Sequence, residues 1–177
     1  MVCATYTPNS SDQSSPQTRR AADKRGSRRV ARELALKILF DLRDRQCDIR
    51  QVLDRFWANF RFAEDELGEP LDELSAPLPA EIQSFAEGLV TGVFSNLDHI
   101  DDVLKQYSTN WTLERMARVD RAILRIATYE LLFCPQVPGS VVINEAIEIG
   151  KRFGSKETPG FVNGILDQVA RVRETQS

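Results

Sequence analysis

The sequence has only one histidine, His99, among 177 residues. That removes every metal site built on paired imidazoles and nearly every Ser-His or Cys-His catalytic arrangement. The three cysteines, Cys3, Cys47 and Cys134, are an odd and scattered set without a C-x-x-C pair, so they support neither a disulfide framework nor a thiolate zinc site. No apolar run approaches the roughly 20 residues needed to cross a bilayer, and the N-terminus lacks the apolar segment of a secretory signal. The P-loop order, the dinucleotide fingerprint and the nucleophile elbow are also missing. These absences point to a non-enzymatic protein of a reducing cytoplasm, without metal, cofactor or membrane partner.

What is present is charge, unevenly spread. The net charge is only -3, yet Arg19 to Arg32 holds seven Lys/Arg against the single Asp23. Phe62 to Asp102 holds eleven Asp/Glu and no Lys or Arg. Such polarity favours oriented binding of an anionic partner over general adhesion to polyanions. A basic tail beside solvated acidic loops is the plainer alternative.

The chain reads as all-α, with about seven helices. Residues 1–26, rich in Ser, Thr, Pro and Gln, cannot offset their ordering entropy by burial and are expected to form a disordered arm. From Ser27, a good N-cap, Ala31, Leu34, Ala35, Ile38, Leu39 and Leu42 recur at spacings of three and four. A second amphipathic helix begins near Asp48, a third near Pro79 and a shorter one after Asn96. Between the second and third, Phe62 to Leu78 is an acidic connection. Trp111 to Phe133 is apolar around more than half its circumference and belongs in the middle of a bundle. Ser140 is placed to cap the next helix, and the last opens at Thr158 with Pro159 in its first turn. Residues 27–177 are expected to form one domain, with approximate sub-bundles over 27–78 and 79–177.

Several residues do not fit a plain bundle. At 100° per residue, Leu36 and Phe40 fall opposite the core stripe of the first helix, together with Arg29 and Arg32. They form either a docking surface or a second buried side. Arg25, Arg28, Arg29 and Arg32 present cations to phosphates despite an unfavourable helix dipole. Asp120 lies inside the apolar stripe of the central helix. It must pair with Arg121 or Arg125, cap a helix that restarts there, or mark the rim of a protein contact. In FGSKETPGFVNG, Phe153 to Gly164, a helix start follows Lys151, Arg152 and Lys156. That is a candidate phosphate seat, beside a half-exposed Phe161 on which a single-stranded base could stack. A capped helix with a core phenylalanine is the commoner reading of that stretch.

The runs DRAILRIATYELLF (Asp120 to Phe133), VPGSVVINEAIEIGKRFG (Val137 to Gly154) and FVNGILDQVAR (Phe161 to Arg171) resemble the C-terminal half of the NusB family, and SRRVARELALKILF (Ser27 to Phe40) resembles its arginine-rich first helix. The resemblance implies two packed helical sub-bundles in a transcription antitermination factor. Its partners would be boxA RNA of ribosomal RNA leader transcripts, the ribosomal protein NusE, and elongating RNA polymerase with other Nus factors. A homodimer of the free protein stays open. Carried over by position, the RNA surface would use Arg28, Arg29, Arg32, Tyr107 and Phe161, and the NusE surface Phe40, Glu114 and Asp120. The candidate phosphate seat at the start of the last helix adds Lys156 to the first surface, and helix geometry adds Leu36 to the second.

Overall fold

The computed structural model describes the backbone of residues 16–41, 48–60, 78–108 and 112–176. Residues 1–15 of the expected arm, nearly all of the acidic connection (62–77) and Trp111 lie outside this set. Seven helices and no strand occur among the described residues, so the all-α expectation holds. They are α1 (Pro16–Asp41), α2 (Ile49–Asn59), α3 (Ala80–Ser95), α4 (Leu97–Tyr107), α5 (Arg118–Phe133), α6 (Gly139–Phe153) and α7 (Thr158–Gln176).

The helix boundaries follow local chemistry, with three departures from expectation. α2 starts as read, the Asp48 carboxylate accepting from the Arg50 amide at 2.9 Å. α1, however, begins at Pro16, so Ser27 is an interior residue and not its cap. Arg19, Arg20, Ala21, Ala22, Lys24 and Arg25 are good helix formers, and extending an existing helix is cheap once a nucleus stands. Residues 112–117 form a turn that the apolar pattern had assigned to the central helix. The Arg115 amide donates to the Thr112 carbonyl at 2.9 Å, and the Arg121 guanidinium holds the Leu113 carbonyl at 2.8 Å. Leu113 and Met116 are nonetheless buried, so the pattern identified core residues but not their conformation. Ser140 lies inside the first turn of α6, which begins at Gly139 behind Pro138 and has no side-chain cap.

The core sits around α5, which packs against α1, α3, α4, α6 and α7. Ile123, Leu124, Ala127 and Leu131 on α5 meet Val142, Ala146 and Ile149 of α6, Val162, Leu166 and Val169 of α7, and Ile100 and Leu104 of α4. A second cluster joins Ala31 and Leu34 of α1 to Ala86 of α3, with Phe56, Trp57, Phe60, Ile82 and Phe85 around them. Packing thus groups α3 with α1 and α2 as well as with the helices that follow it. Asp101 of α4, fully buried, is held by both Arg125 Nε and Nη2 at 2.8 Å, which ties α4 to α5.

α1 is a second central helix. Residues 31 to 36 are buried without a break, charged ones included. Arg32 (3% exposed) donates through Nε and Nη2 to both carboxylate oxygens of Glu130 (1% exposed) on α5, each at 2.7 Å. Removing one member leaves the other as an uncompensated buried charge, typically a loss of about 3–5 kcal/mol. Arg32→Ala and Glu130→Ala are each expected to lose stability of that order in urea unfolding, and Arg32→Met with Glu130→Leu to recover most of it. Single losses under about 1 kcal/mol, as exposed pairs give, would contradict the burial.

Candidate nucleic-acid and partner interface

The arginines expected to face RNA separate in space. Arg28 is exposed, its guanidinium 5.2 Å from the centre of the Phe85 ring. Arg29 keeps 43% of its side chain exposed while gripping Glu145 of α6 through Nε at 2.9 Å and Nη2 at 2.8 Å. Arg32 is the correction. It is sealed between Glu130 and Phe85, with Glu145 also 3.9 Å from its Nη1. A side chain so enclosed is not placed to meet a phosphate. The periodicity grouped it with Arg29 because both point away from the α1 stripe that meets α3, but α5 and α6 cover that other side.

The pairing continues along α6. Glu33 of α1, buried, accepts from Arg152 Nη1 at 2.8 Å. Burial pushes the Glu33 carboxyl above its ordinary range against the opposing pull of Arg152, and burial lowers the Lys37 ammonium. Glu145 moves the other way, held down chiefly by its hydrogen bond from Arg29, which is correspondingly raised. Two arginines of α1 and one of α6 therefore spend much of their charge inside the protein.

Beyond this ladder, α1 lines a groove of about 400 Å³ with Leu36, Lys37 and Phe40, closed by Phe56 of α2, Val119 of α5 and Phe153 of α6. Phe40 is 38% exposed and lies 4.5 Å beneath the guanidinium of Arg118, which also donates to the Phe40 carbonyl. Leu36 departs from expectation: it is 3% exposed and part of the main core, so it floors the groove instead of projecting from it. Phe56, Val119, Phe153 and Arg118 escaped the sequence reading, since each follows its own helix pattern and only tertiary packing brings them together.

Asp120, next to Val119, is half-buried and accepts a hydrogen bond from the Thr158 hydroxyl at 2.7 Å. Neither expected arginine takes it: Arg121 is bound to the Leu113 carbonyl and Arg125 to Asp101. Nor does α5 restart at Asp120, which occupies the first turn of a helix beginning two residues earlier. Thr158 is the hub of the 154–158 turn. Its Oγ1 also accepts from the Ser155 amide at 2.9 Å, and its side chain lies against Gly154, where an added Cβ would fall 2.4 Å from Oγ1. Ser155 in turn accepts from the Glu157 amide at 3.3 Å, and its carbonyl accepts from the Thr158 amide at 3.2 Å. Several amides of the candidate phosphate seat are thus satisfied within the turn, and Pro159 supplies none.

Phe161 is half-buried at the edge of the main core, as its helical position implied, and Tyr107 meets the same core from the end of α4. Lys156 is exposed in the turn before α7, and Glu114 is exposed in the turn before α5. The structure gathers Leu36, Phe40 and the neighbourhood of Asp120 around one groove. Arg28 and Arg29 lie about three turns earlier on α1 than Phe40, near the middle of that helix, and Lys156 and Phe161 follow α6 in the chain. No cluster of metal-ligating side chains and no helix long and apolar enough to cross a membrane occurs among the described residues.

The fold is an all-helical bundle with a candidate binding surface, exposed cations near the middle of α1 and an aromatic-lined groove near that helix's C-terminal end. The NusB family model matches residues 29–171. The chain is 57% identical over 146 residues to the transcription antitermination protein NusB of Syntrophotalea carbinolica, covering 82% of this chain and 93% of that protein. It is 43% identical over 145 residues to that of Geobacter sulfurreducens, covering 82% and 94%. The solved structure of T. maritima NusB superposes with a TM-score of 0.58 at 38% identity, over 81% of this chain and 90% of that one. A crystal structure of antitermination factors NusB and NusE in complex with dsRNA shares the fold, with a TM-score of 0.60 at 20% identity over 83% and 98%. The chain belongs to the NusB family, whose matched relatives are transcription antitermination proteins.

The charge ladder has a definite pH signature. A carboxyl held below its unfolded value stabilises the fold above that value, about 4.3 for glutamate. The contribution is lost as pH falls through the folded value. Glu33, raised, has the opposite sign and loses its contribution as pH rises through its folded value. Glu145→Gln should therefore be less stable than the parent at neutral pH and lose less on acidification, measured by urea unfolding at neutral and at mildly acidic pH. An unchanged acid limb would contradict the Arg29–Glu145 assignment.

Proposed function

We propose that this chain is an RNA-binding transcription antitermination factor of the cytoplasm. With the ribosomal protein NusE it recognises boxA-type single-stranded RNA in ribosomal RNA leader transcripts, and with other Nus factors it joins the elongating polymerase to suppress premature termination. The observation that carries this reading is the division of α1. Arg28 and Arg29 stand near its middle, and Phe40 stands beside an apolar groove about 18 Å further along the axis. One helix thereby carries a phosphate-contacting stretch and a protein-docking stretch. Membership of an antitermination family supports it, and so does the shared fold with a NusB solved together with NusE and RNA.

Within this reading, Arg28 and Lys156 contact phosphates, Arg29 orients against Glu145, and Tyr107 and Phe161 offer rings to unstacked bases. Leu36, Phe40 and Asp120 form the NusE surface, with Glu114 near its rim. A helical adaptor that binds no RNA is the second reading, favoured by the internal pairing of Arg29 and Arg32.

Gel-shift titration with boxA-like RNA, with and without NusE, separates the two. Sequence-selective retention strengthened by NusE is expected, and its absence in both conditions would overturn the proposal. Arg28→Ala should weaken binding and flatten the log-log salt slope by about 0.7. Phe40→Asp should remove the NusE-dependent gain while leaving binding to RNA alone intact. Phe161→Ala should weaken RNA binding with little change in thermal unfolding; a large loss of stability would assign the ring to the core.

A further inference from the structure

Between α1 and α6 an exchangeable ion pair lies beside a fixed one. Arg29 Nε donates to Glu145 Oε2 at 2.9 Å, and Nη2 donates to Oε1 at 2.8 Å. The two carboxylate oxygens occupy one edge of the guanidinium, the same two-point geometry in which an arginine receives two oxygens of a phosphate. Arg32, three residues further along α1, is sealed against Glu130. Arg29 instead keeps 43% of its side chain exposed, so a phosphate arriving from solvent reaches it without opening the fold.

The carboxylate that Arg29 would leave is not stranded. Glu145 is only 14% exposed, and an anion so enclosed carries a heavy penalty when its cation departs. A second cation stands ready, because Arg32 Nη1 already lies 3.9 Å from Glu145 Oε2. Arg32 is fixed by Glu130 through Nε and Nη2, which leaves Nη1 turned toward Glu145 whatever Arg29 does. The Glu145 carboxyl is held below its ordinary range first by the hydrogen bond from Arg29, and further by the charges of Arg29 and Arg32. Glu148, three residues further along α6, is exposed and held by Lys151 at 2.6 Å, and it reaches Arg29 as a charge.

On the RNA-binding reading of this face, we propose that Glu145 is a built-in competitor of RNA for Arg29. It occupies the guanidinium in the free chain, yields it to a phosphate as RNA binds, and falls back on Arg32. A ligand that gains other contacts at the same time, as through Arg28, draws Arg29 away, while a lone phosphate gains little from the exchange. The Arg29–Glu145 contact stabilises the fold and opposes RNA, so this one carboxylate acts with opposite signs on stability and on binding. A residue that merely oriented Arg29 toward the phosphate would favour both.

The test is a double-mutant cycle on the full chain, read by gel-shift titration with boxA-like RNA in the presence of NusE, well below every thermal midpoint. Glu145→Gln removes the charge and keeps the shape. It should bind RNA about three- to fivefold more tightly than the parent, and the gain should vanish in an Arg29→Ala background. Glu148→Gln, which removes a charge without freeing Arg29, should change affinity by less than about twofold. A second measurement needs no variant: the Arg29 Nε–H resonance of the parent chain should move saturably as RNA is added. Three results would overturn the proposal and leave the RNA-binding reading standing: Glu145→Gln binding no more tightly than the parent, a gain that survives Arg29→Ala, or an Arg29 resonance that stays in place while RNA binds. No retention of RNA by the parent chain, with or without NusE, would overturn both.

Discussion

The buried pair of Arg32 and Glu130 is the constraint around which the rest of the molecule is arranged. Two opposite charges with almost no access to water must face each other squarely, because either alone would carry a large desolvation cost. Their bidentate geometry sets how α1 lies against α5. With that contact in place, Arg29 meets Glu145 and Glu33 meets Arg152, so α6 is drawn against the same flank of α1. The apolar residues between them, Ala31, Leu34, Ala35 and Ile38, supply the favourable burial. The ion pairs choose the orientation in which that burial occurs.

The exposure of the described part of α1 follows from this arrangement. With two flanks covered, Arg28 and part of Arg29 near its middle and Phe40 near its C-terminal end stay open to solvent among the described side chains of α1. The Thr158 hydroxyl performs a related service at the far side of the groove. It binds Asp120 of α5 and the turn before α7 together, while Gly154 allows the close approach. One hydrogen bond thus joins Asp120, next to Val119 of the groove, to the start of the helix that carries Phe161.

The helical class, most of the core and the half-exposed state of Phe161 were legible in the sequence, because three- and four-residue periodicity reports directly on burial. The same periodicity misled at Leu36 and Arg32. It assumes one buried face per helix, and α1 has partners on both flanks. Leu113 and Met116 show a different limit: a short turn can bury apolar residues at nearly helical spacing. The groove residues Phe56, Val119 and Phe153 come from three helices, and no local pattern joins them. Glu130 and Glu145 carry the clearest missed signal, since glutamates one turn apart from buried apolar neighbours on α5 and α6 had to be matched by cations elsewhere. The boundary of the arm at residue 26 was set by composition, and α1 runs through it.

From Ala31 to Ile38, α1 is an integral, doubly covered core helix and not an arm resting on a finished bundle. Native-state hydrogen exchange tests it most directly, because it reads the free energy at which each helix opens. Amides of α1 from Ala31 to Ile38 are expected to exchange together with those of α5, through the global unfolding reaction and with the same dependence on urea. Exchange of the α1 amides at a distinctly lower opening free energy, while α5 stays protected, would contradict it.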